Sequence, residues 1–249
     1  MAYDGADFAG FQRQPGRPSV QEAIETALWR LTGEWISIRY AGRTDRGVHA
    51  EGQAIAFETA RALDERSVLA GLNANLPPTI VAWEARAVEP GYDPRRRALS
   101  RLYRYQIEHR PWPTPFLRRY SWHVREALDL AAMGRAAEAL VGEHDFAAFS
   151  HRSGVAVGST VRRVAWIAVR RVEDRVLVEI EANAFLPHMV RNIVGTLVWI
   201  GRGRLDEGEL PRILASRDRR RAGPAAPGHG LFLVRVRYPD DPAAAGEKE

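Results

Sequence analysis

The segment TVRRVAWIAVRR (residues 160–171) and the segment RVLVEIEAN (residues 175–183) predict two β-strands that follow each other closely in the chain. In the second segment, valine, isoleucine and alanine recur at every second position, which places them on one face of a strand. Glu173 and Asp174 lie between the two segments and are predicted to form a turn. The two segments therefore predict an antiparallel β-hairpin.

The segments on either side of this hairpin predict a further strand and a helix. Before it, in LSRLYRYQIEH (residues 99–109), Tyr103, Tyr105 and Ile107 share one face of a strand, and the residues between them take the other face. After it, PHMVRNIVGTLVWIG (residues 187–201) is predominantly apolar and long enough for a helix.

Other elements are predicted from the same periodicities. A helix over residues 18–33 has Ser19 as N-cap, Glu22 closing a capping box and Gly33 as its stop. Further helices are predicted at 64–74, 129–141 and 208–216, and further strands at 35–41, 52–58, 79–88 and 230–238. These elements predict an α+β protein with two similar halves that share one mixed, mainly antiparallel central sheet flanked by helices and loops.

The predicted halves cover residues 1–110 and residues 111–239. Pro111, Pro113 and Pro115 mark the break between them. The last segment, residues 240–249, consists mostly of alanine, proline and charged residues and is predicted to be disordered.

The composition predicts a soluble, cytoplasmic protein. No apolar run approaches the roughly 20 residues of a membrane span, the first residues do not resemble an export signal, and there is no cysteine for disulfides or thiolate metal sites. The net charge is +5, and Lys248 is the only lysine among 36 basic residues. Arginine suits planar phosphate contacts, but the charge balance alone leaves nucleic-acid binding and a merely arginine-rich composition equally open.

Motifs for bound cofactors are missing from the sequence. There is no Gly-Lys pair for a phosphate-binding loop, and GRGRLDEG (residues 201–208) follows a predicted helix, whereas the dinucleotide fingerprint follows a strand. No HExxH is present, and His144 and His151 lack companion ligands nearby in the sequence. We therefore expect neither a nucleotide cofactor nor a metal ion.

The segment AGRTDRGVHA (residues 41–50) places Asp45 between Arg43 and Arg46, in a loop that joins two predicted strands. One interpretation is structural: Thr44 and Asp45 shape a turn while the arginines point to water. The other is functional, because adjacent guanidinium groups favour an ionised carboxylate that can act as a nucleophile or base, and can themselves hold phosphates. The pattern alone favours the structural interpretation.

Two further segments carry candidate site residues with the same ambiguity. The pattern alone favours Tyr103 as a core aromatic residue, and the functional alternative is a surface on which an unstacked base rests. In NAFLPHMVRNIVG (residues 183–195), His188 and Arg191 lie three positions apart on one face of the first helical turn. A buried arginine needs an anion, which is either a structural acid or helix end, or else Asp45 or an RNA phosphate.

Seven segments together resemble the TruA family of tRNA pseudouridine synthases in order and spacing, from Tyr3 to about Pro239. They are YDGADFAGFQRQ (3–14), AGRTDRGVHA (41–50), GLNANLP (71–77), LYRY (102–105), GEHDFAAF (142–149), NAFLPHMVRNIVG (183–195) and GLFLV (230–234). The resemblance implies that uridines 38, 39 and 40 of the tRNA anticodon stem-loop are converted to pseudouridine by a homodimer that needs no cofactor.

The resemblance also implies roles for particular residues. Asp45 matches the essential aspartate, Arg191 its basic partner, Tyr103 the active-site tyrosine and Arg43 the arginine that helps to extrude the uridine. Arg46 and His188 lie in the matching segments and are candidate substrate-binding residues. The alternative is a non-catalytic RNA-binding protein on the same fold.

Overall fold

A computed structural model describes residues 1–151 and 158–239 of the chain. Its strands are β1 (Ala2–Tyr3), β2 (Arg39–Tyr40), β3 (His49–Ala50), β4 (Ile55–Ala56), β5 (Ile80–Val81), β6 (Ser100–Glu108), β7 (Trp122–His123), β8 (Gly142–Asp145), β9 (Val161–Val172), β10 (Arg175–Ala182) and β11 (Leu231–Arg237). Its α-helices are α1 (Val20–Thr32), α2 (Glu65–Asn75), α3 (Pro94–Arg97), α4 (Leu130–Glu138), α5 (Met189–Gly201) and α6 (Glu209–Ser216). Within the two described ranges, none of these helices has the length and apolarity to cross a membrane. The tail at residues 240–249, predicted to be disordered, lies outside the described residues.

The chain divides into two compact units. The first contains residues 1–99 and the described chain from Phe232 onward, and the second contains residues 100–231. Strand β6 belongs to the second unit, where it pairs with β10 from Arg101 opposite Ala182 to Glu108 opposite Arg175. The predicted boundary between residues 110 and 111 therefore lies inside the second unit. Strand β6 precedes that boundary in the sequence, but its pairing with β10 places it in the second unit.

The first unit contains a mixed sheet with the strand order β5–β1–β3–β11. Strand β1 is antiparallel to β3 and β5, with Tyr3 opposite Ala50 and Ile80, whereas β11 is parallel to β3. A separate antiparallel ladder joins β2 to β4. Helices α1 and α2 pack so closely that a side chain at Gly71 would overlap Leu31.

Helix α1 confirms Ser19 as the N-cap and Gly33 as the stop. The Ser19 hydroxyl accepts a hydrogen bond from the Glu22 backbone N–H at 3.3 Å. Gly33 ends the helix with φ of +77°, a left-handed conformation that favours glycine.

Three strands that were predicted at residues 35–41, 52–58 and 79–88 are each only two residues long, as β2, β4 and β5. Side chains form hydrogen bonds with backbone groups that would pair with a neighbouring strand if these strands were longer. The Asn73 amide donates to the Ala82 carbonyl at 2.9 Å and accepts from the Ala82 N–H at 2.8 Å. Likewise, the Ile38 N–H donates to the Glu25 carboxylate at 3.3 Å.

The second unit contains a sheet with the order β7–β6–β10–β9–β8, antiparallel except that β7 is parallel to β6. Glu173 and Asp174 separate β9 from β10, which confirms the predicted hairpin. Tyr105 and Ile107 of β6 are fully buried on one sheet face, and helices α4 and α5 pack against each other. Both units thus combine a mixed, mainly antiparallel sheet with helices, as the α+β class predicts.

Candidate active site

Asp45 begins a tight turn in the first unit, in the loop between β2 and β3. Its carbonyl accepts a hydrogen bond from the Val48 N–H at 3.1 Å, and Gly47 has φ of +73° within the turn. Asp45 is half-buried, whereas Arg43 and Arg46 on either side of it are exposed. Backbone groups therefore close a turn here, as the structural interpretation of this motif predicts.

A buried network holds the residue that precedes Asp45. The Tyr3 and Thr44 hydroxyls are 2.8 Å apart, and the Gln53 side-chain amide donates to the Tyr3 hydroxyl at 3.3 Å and to the Gly42 carbonyl at 2.8 Å. The Thr44 carbonyl also accepts from the Phe11 N–H at 3.0 Å. Both the side chain and the backbone of Thr44 are thereby fixed, which limits the positions that Asp45 can take.

Tyr3 is a neutral member of this network at physiological pH. Burial raises the pKa of Tyr3 to about 12, and the hydrogen bonds with Thr44 and Gln53 oppose that shift. Sequence patterns do not reveal these contacts, because Tyr3 and Thr44 are 41 positions apart. The sequence does indicate that both residues matter, because both lie in segments on which the family resemblance depends.

The two arginines of the motif present cationic groups at the surface. The Arg43 Nε donates to the Tyr40 hydroxyl at 3.0 Å, and this bond orients the Arg43 guanidinium group. Arg46 occupies the second position of the turn and is exposed. Exposed guanidinium groups beside a carboxylate suit binding to a phosphate-bearing substrate.

Tyr103 lies in the middle of β6 in the second unit and is only 8% exposed. Its ring meets the ring of Phe185 edge-to-face, with 4.9 Å between ring centroids. Tyr103 is thus packed as a core aromatic residue, and this packing fixes its ring orientation. A ring held in this way can also serve as a stacking surface, so both interpretations of Tyr103 are compatible with the geometry.

Arg191 lies in the first turn of α5, and the segment that precedes β11 orients it. The Arg191 Nε donates to the Ala226 carbonyl at 2.8 Å, and the Arg191 carbonyl accepts from the Ala226 N–H at 3.0 Å. His188 precedes the helix with φ of +62° and stacks on His151, with 4.7 Å between ring centroids. The helix predicted from residue 187 therefore begins at Met189, because left-handed His188 cannot belong to it.

The segment GPAAPGHG (residues 223–230) emerges as a support for Arg191 that the sequence patterns did not identify. The Tyr105 hydroxyl donates to the Pro227 carbonyl at 2.8 Å, next to the residue that holds Arg191. Burial raises the pKa of Tyr105, and the nearby Arg191 opposes that shift only in part. Burial, assisted by Arg191, lowers the pKa of His229, although a hydrogen bond with the Ser121 backbone counteracts it.

The predicted site residues thus fall into two groups. Arg43, Asp45 and Arg46 share one loop of the first unit, and Tyr103, His188 and Arg191 belong to the second unit. In the part of the chain that the structure describes, no three histidine, aspartate or glutamate side chains are arranged to hold a metal ion.

Comparison with known proteins identifies the family. The model of the tRNA pseudouridine synthase family matches residues 1–94 and 136–239. The tRNA pseudouridine synthase A of Moorella thermoacetica is 49% identical over 245 residues, which cover 96% of this chain and 97% of that protein. The proteins of the same name from Geobacter sulfurreducens and Myxococcus xanthus are 43% and 42% identical, and cover 96% and 98% of this chain and 97% and 92% of their own. The chain therefore belongs to the tRNA pseudouridine synthase family.

Proposed function

We propose that this protein converts uridine to pseudouridine in tRNA, at positions 38, 39 and 40 of the anticodon stem-loop, with Asp45 as the essential catalytic residue. The observation that carries the proposal is an aspartate on an anchored turn, between two exposed arginines, in a chain of the tRNA pseudouridine synthase family. The names of the relatives support tRNA as the substrate, and the motif resemblance supports the anticodon positions.

The reaction is an isomerisation whose atoms balance without a co-reactant. The bond between ribose C1′ and uracil N1 breaks, a bond between C1′ and C5 forms, C5 loses a proton and N1 gains one. The chain therefore needs acid–base and positioning groups rather than a redox cofactor. An ionised Asp45 can attack C1′, attack C6 or remove the 2′ proton, and all three routes use a precisely held carboxylate.

The remaining site residues have distinct roles in this proposal. Tyr103 stacks on the uracil and relays the proton that leaves C5. Arg191, oriented by the Ala226 carbonyl, supplies the guanidinium group for an anion of the reacting complex. Arg43, Arg46 and His188 bind the extruded nucleotide and its phosphates. Flipping a paired uridine costs on the order of a few kcal/mol, which these contacts offset.

The decisive experiment measures tritium release from tRNA that carries 5-tritiated uridine. We expect Asp45→Asn to abolish release while tRNA affinity stays within a few-fold of the parent. Asp64→Asn is the matched control, because the Asp64 carboxylate caps α2 through the Ser67 N–H and asparagine caps helices equally well. Turnover by Asp45→Asn would contradict the assigned role.

Mapping of the product tests the position and the alternative function. Pseudouridine confined to residues 38–40 of the tRNA supports the proposed specificity, and pseudouridine found only elsewhere contradicts it. A protein that binds tRNA in a salt-dependent manner but releases no tritium is an RNA-binding protein without catalysis.

We also propose that the protein acts as a homodimer in the cytoplasm, as the family resemblance implies. Sedimentation of the purified protein at micromolar concentration tests the first part, since a homodimer has twice the 27.9 kDa mass of the chain. A monomer that retains full turnover would contradict a dimer requirement.

A further inference from the structure

One surface segment of the second unit has no part in the proposed catalytic roles. It is the proline-rich loop, defined as residues 109–121 with the sequence HRPWPTPFLRRYS, which joins β6 to β7. Its side chains Trp112 and Phe116 are 78% and 84% exposed, which makes them the two most exposed large apolar side chains of the residues that the structure describes. Exposed single apolar residues are common, so the inference depends on what surrounds these two.

Hydrogen bonds hold the backbone of the loop, although the Trp112 and Phe116 side chains are not packed. Glu108, which is completely buried at the end of β6, accepts a hydrogen bond from the Thr114 N–H at 2.7 Å. Backbone bonds from the Leu117 N–H to Thr114 and from the Tyr120 N–H to Leu117 close the next turns. Pro111, Pro113 and Pro115 fix three φ angles. A buried carboxylate and three prolines therefore order a segment that contributes its two largest apolar side chains to the surface rather than to the core.

The charge around the loop favours a polyanion. Residues 109–125 contain Arg110, Arg118, Arg119 and Arg125 but no aspartate or glutamate. The neighbouring carboxylates of Glu108 and Asp174 both pair with Arg110, which offsets one of their two negative charges, whereas Arg118, Arg119 and Arg125 contribute three further positive charges. Arg118, two positions from Phe116, is exposed.

We infer that the proline-rich loop is an RNA contact surface separate from the catalytic residues, where Trp112 and Phe116 stack on unpaired bases and Arg118 binds a phosphate. Exposed aromatic rings beside arginines provide the stacking surface and the cations that single-stranded nucleic acid requires. The loop is already ordered, so binding costs little conformational entropy. This inference rests on the proposed function, because the RNA in question is the tRNA substrate.

The test measures the dissociation constant for tRNA and the single-turnover rate of tritium release at saturating enzyme. Stacking of one base on an aromatic ring is worth about 5- to 150-fold in affinity, and we expect Trp112→Ala and Phe116→Ala each to weaken binding within that range. Trp112→Phe retains a stacking ring and should stay within a few-fold of the parent. The rate at saturation should be unchanged in all three variants. Trp83→Ala is the matched control, because Trp83 is 65% exposed in the first unit and should not affect binding.

The salt dependence tests the phosphate contact. Loss of one contact to single-stranded RNA lowers the slope of log affinity against log salt by about 0.7, and Arg118→Gln should show this change. An unchanged dissociation constant in Trp112→Ala/Phe116→Ala would overturn the inference. A changed association state of that double variant in sedimentation would also overturn it, because the loop would then be a protein–protein interface.

Failure of this inference can be distinguished from failure of the proposed function. If the parent releases tritium and the double variant binds tRNA equally well, the loop inference fails and the function stands. If the parent binds tRNA without tritium release, the function fails, and weaker binding by the loop variants still supports the contact surface.

Discussion

The pair of buried hydroxyls beneath the Asp45 turn leads to a prediction about both stability and catalysis. The Tyr3 and Thr44 hydroxyls are 2.8 Å apart, so one donates to the other, and the Tyr3 hydroxyl also accepts a hydrogen bond from Gln53. Both hydroxyl-bearing residues are buried. Thr44→Val replaces the hydroxyl by a methyl group of similar size and leaves the Tyr3 hydroxyl without this hydrogen-bond partner. An unsatisfied buried polar group costs about 1–3 kcal/mol of the free energy of unfolding.

The double variant separates the hydrogen bond from other effects of the substitutions. Tyr3→Phe alone leaves the Thr44 hydroxyl without its Tyr3 partner, whereas Tyr3→Phe/Thr44→Val removes both hydroxyls. The cost of the double variant should therefore fall short of the sum of the single costs by about 1 kcal/mol or more, as measured by urea unfolding. Additivity of the two costs within about 0.3–0.5 kcal/mol would refute the coupling.

Catalysis should respond through the position of Asp45. A displacement of about 1 Å can cost on the order of 100-fold in rate, so we expect Thr44→Val to slow single-turnover tritium release by about 10- to 100-fold. The dissociation constant for tRNA should stay within a few-fold. Thr59→Val is the matched control, because the Thr59 hydroxyl donates to Glu34 at 2.7 Å elsewhere in the same unit. An unchanged rate in destabilised but folded Thr44→Val would refute the positioning role of this network.

Two further predictions concern buried tyrosines. Burial raises the pKa of Tyr3 to about 12, so its contribution to stability is fully present below its unfolded pKa of about 10 and is lost as the pH rises towards 12. Between pH 9 and pH 11.5, Tyr3→Phe should therefore lose about 2 kcal/mol less unfolding free energy than the parent protein. Equal losses in Tyr3→Phe and in the parent protein would contradict the raised pKa. Tyr105→Phe removes the hydrogen bond to the Pro227 carbonyl and should cost about 1–2 kcal/mol of stability and slow tritium release without weakening tRNA binding. Tyr238→Phe removes a similar bond, to the Pro94 carbonyl, and should leave the rate unchanged, so equal slowing in both variants would contradict a specific role of Tyr105.

Elements whose signals are local could be predicted from the sequence. The Ser19 hydroxyl and Gly33 act on backbone groups a few residues away, so the limits of α1 were predicted to within two residues. The alternation of Tyr103, Tyr105 and Ile107 likewise identified β6, because every second side chain of a strand shares a face.

The shortened strands could not be predicted, because their causes are not local. Residues 79–88 have a composition compatible with a strand, but the Asn73 amide satisfies both backbone groups of Ala82 from a neighbouring helix. The start of α5 lies two residues later than predicted for another reason. The spacing of apolar residues does not show that the backbone of His188 is left-handed. A pattern of side chains predicts which face of an element is buried. It does not show which group forms a hydrogen bond with a given backbone N–H.

The candidate site was predicted by motif resemblance rather than by periodicity. Asp45 alone favoured a turn, and Tyr103 alone favoured a core residue, which is also how the backbone turn and the ring are found in the structure. The supports of these residues were not predicted. The Tyr3–Thr44 and Tyr105–Pro227 bonds join residues 41 and 122 positions apart, and no short motif contains such pairs.

The supports have a consequence for the pH dependence of turnover. Burial raises the pKa values of both Tyr3 and Tyr105, so these hydroxyls remain protonated throughout the neutral range. Burial lowers the pKa of His229, so its ring is neutral at physiological pH beside Arg191. Tyr3, Tyr105 and His229 therefore each keep one charge state from about pH 7 to pH 9. A change in single-turnover rate over that interval then reports on other groups, because these three do not titrate there.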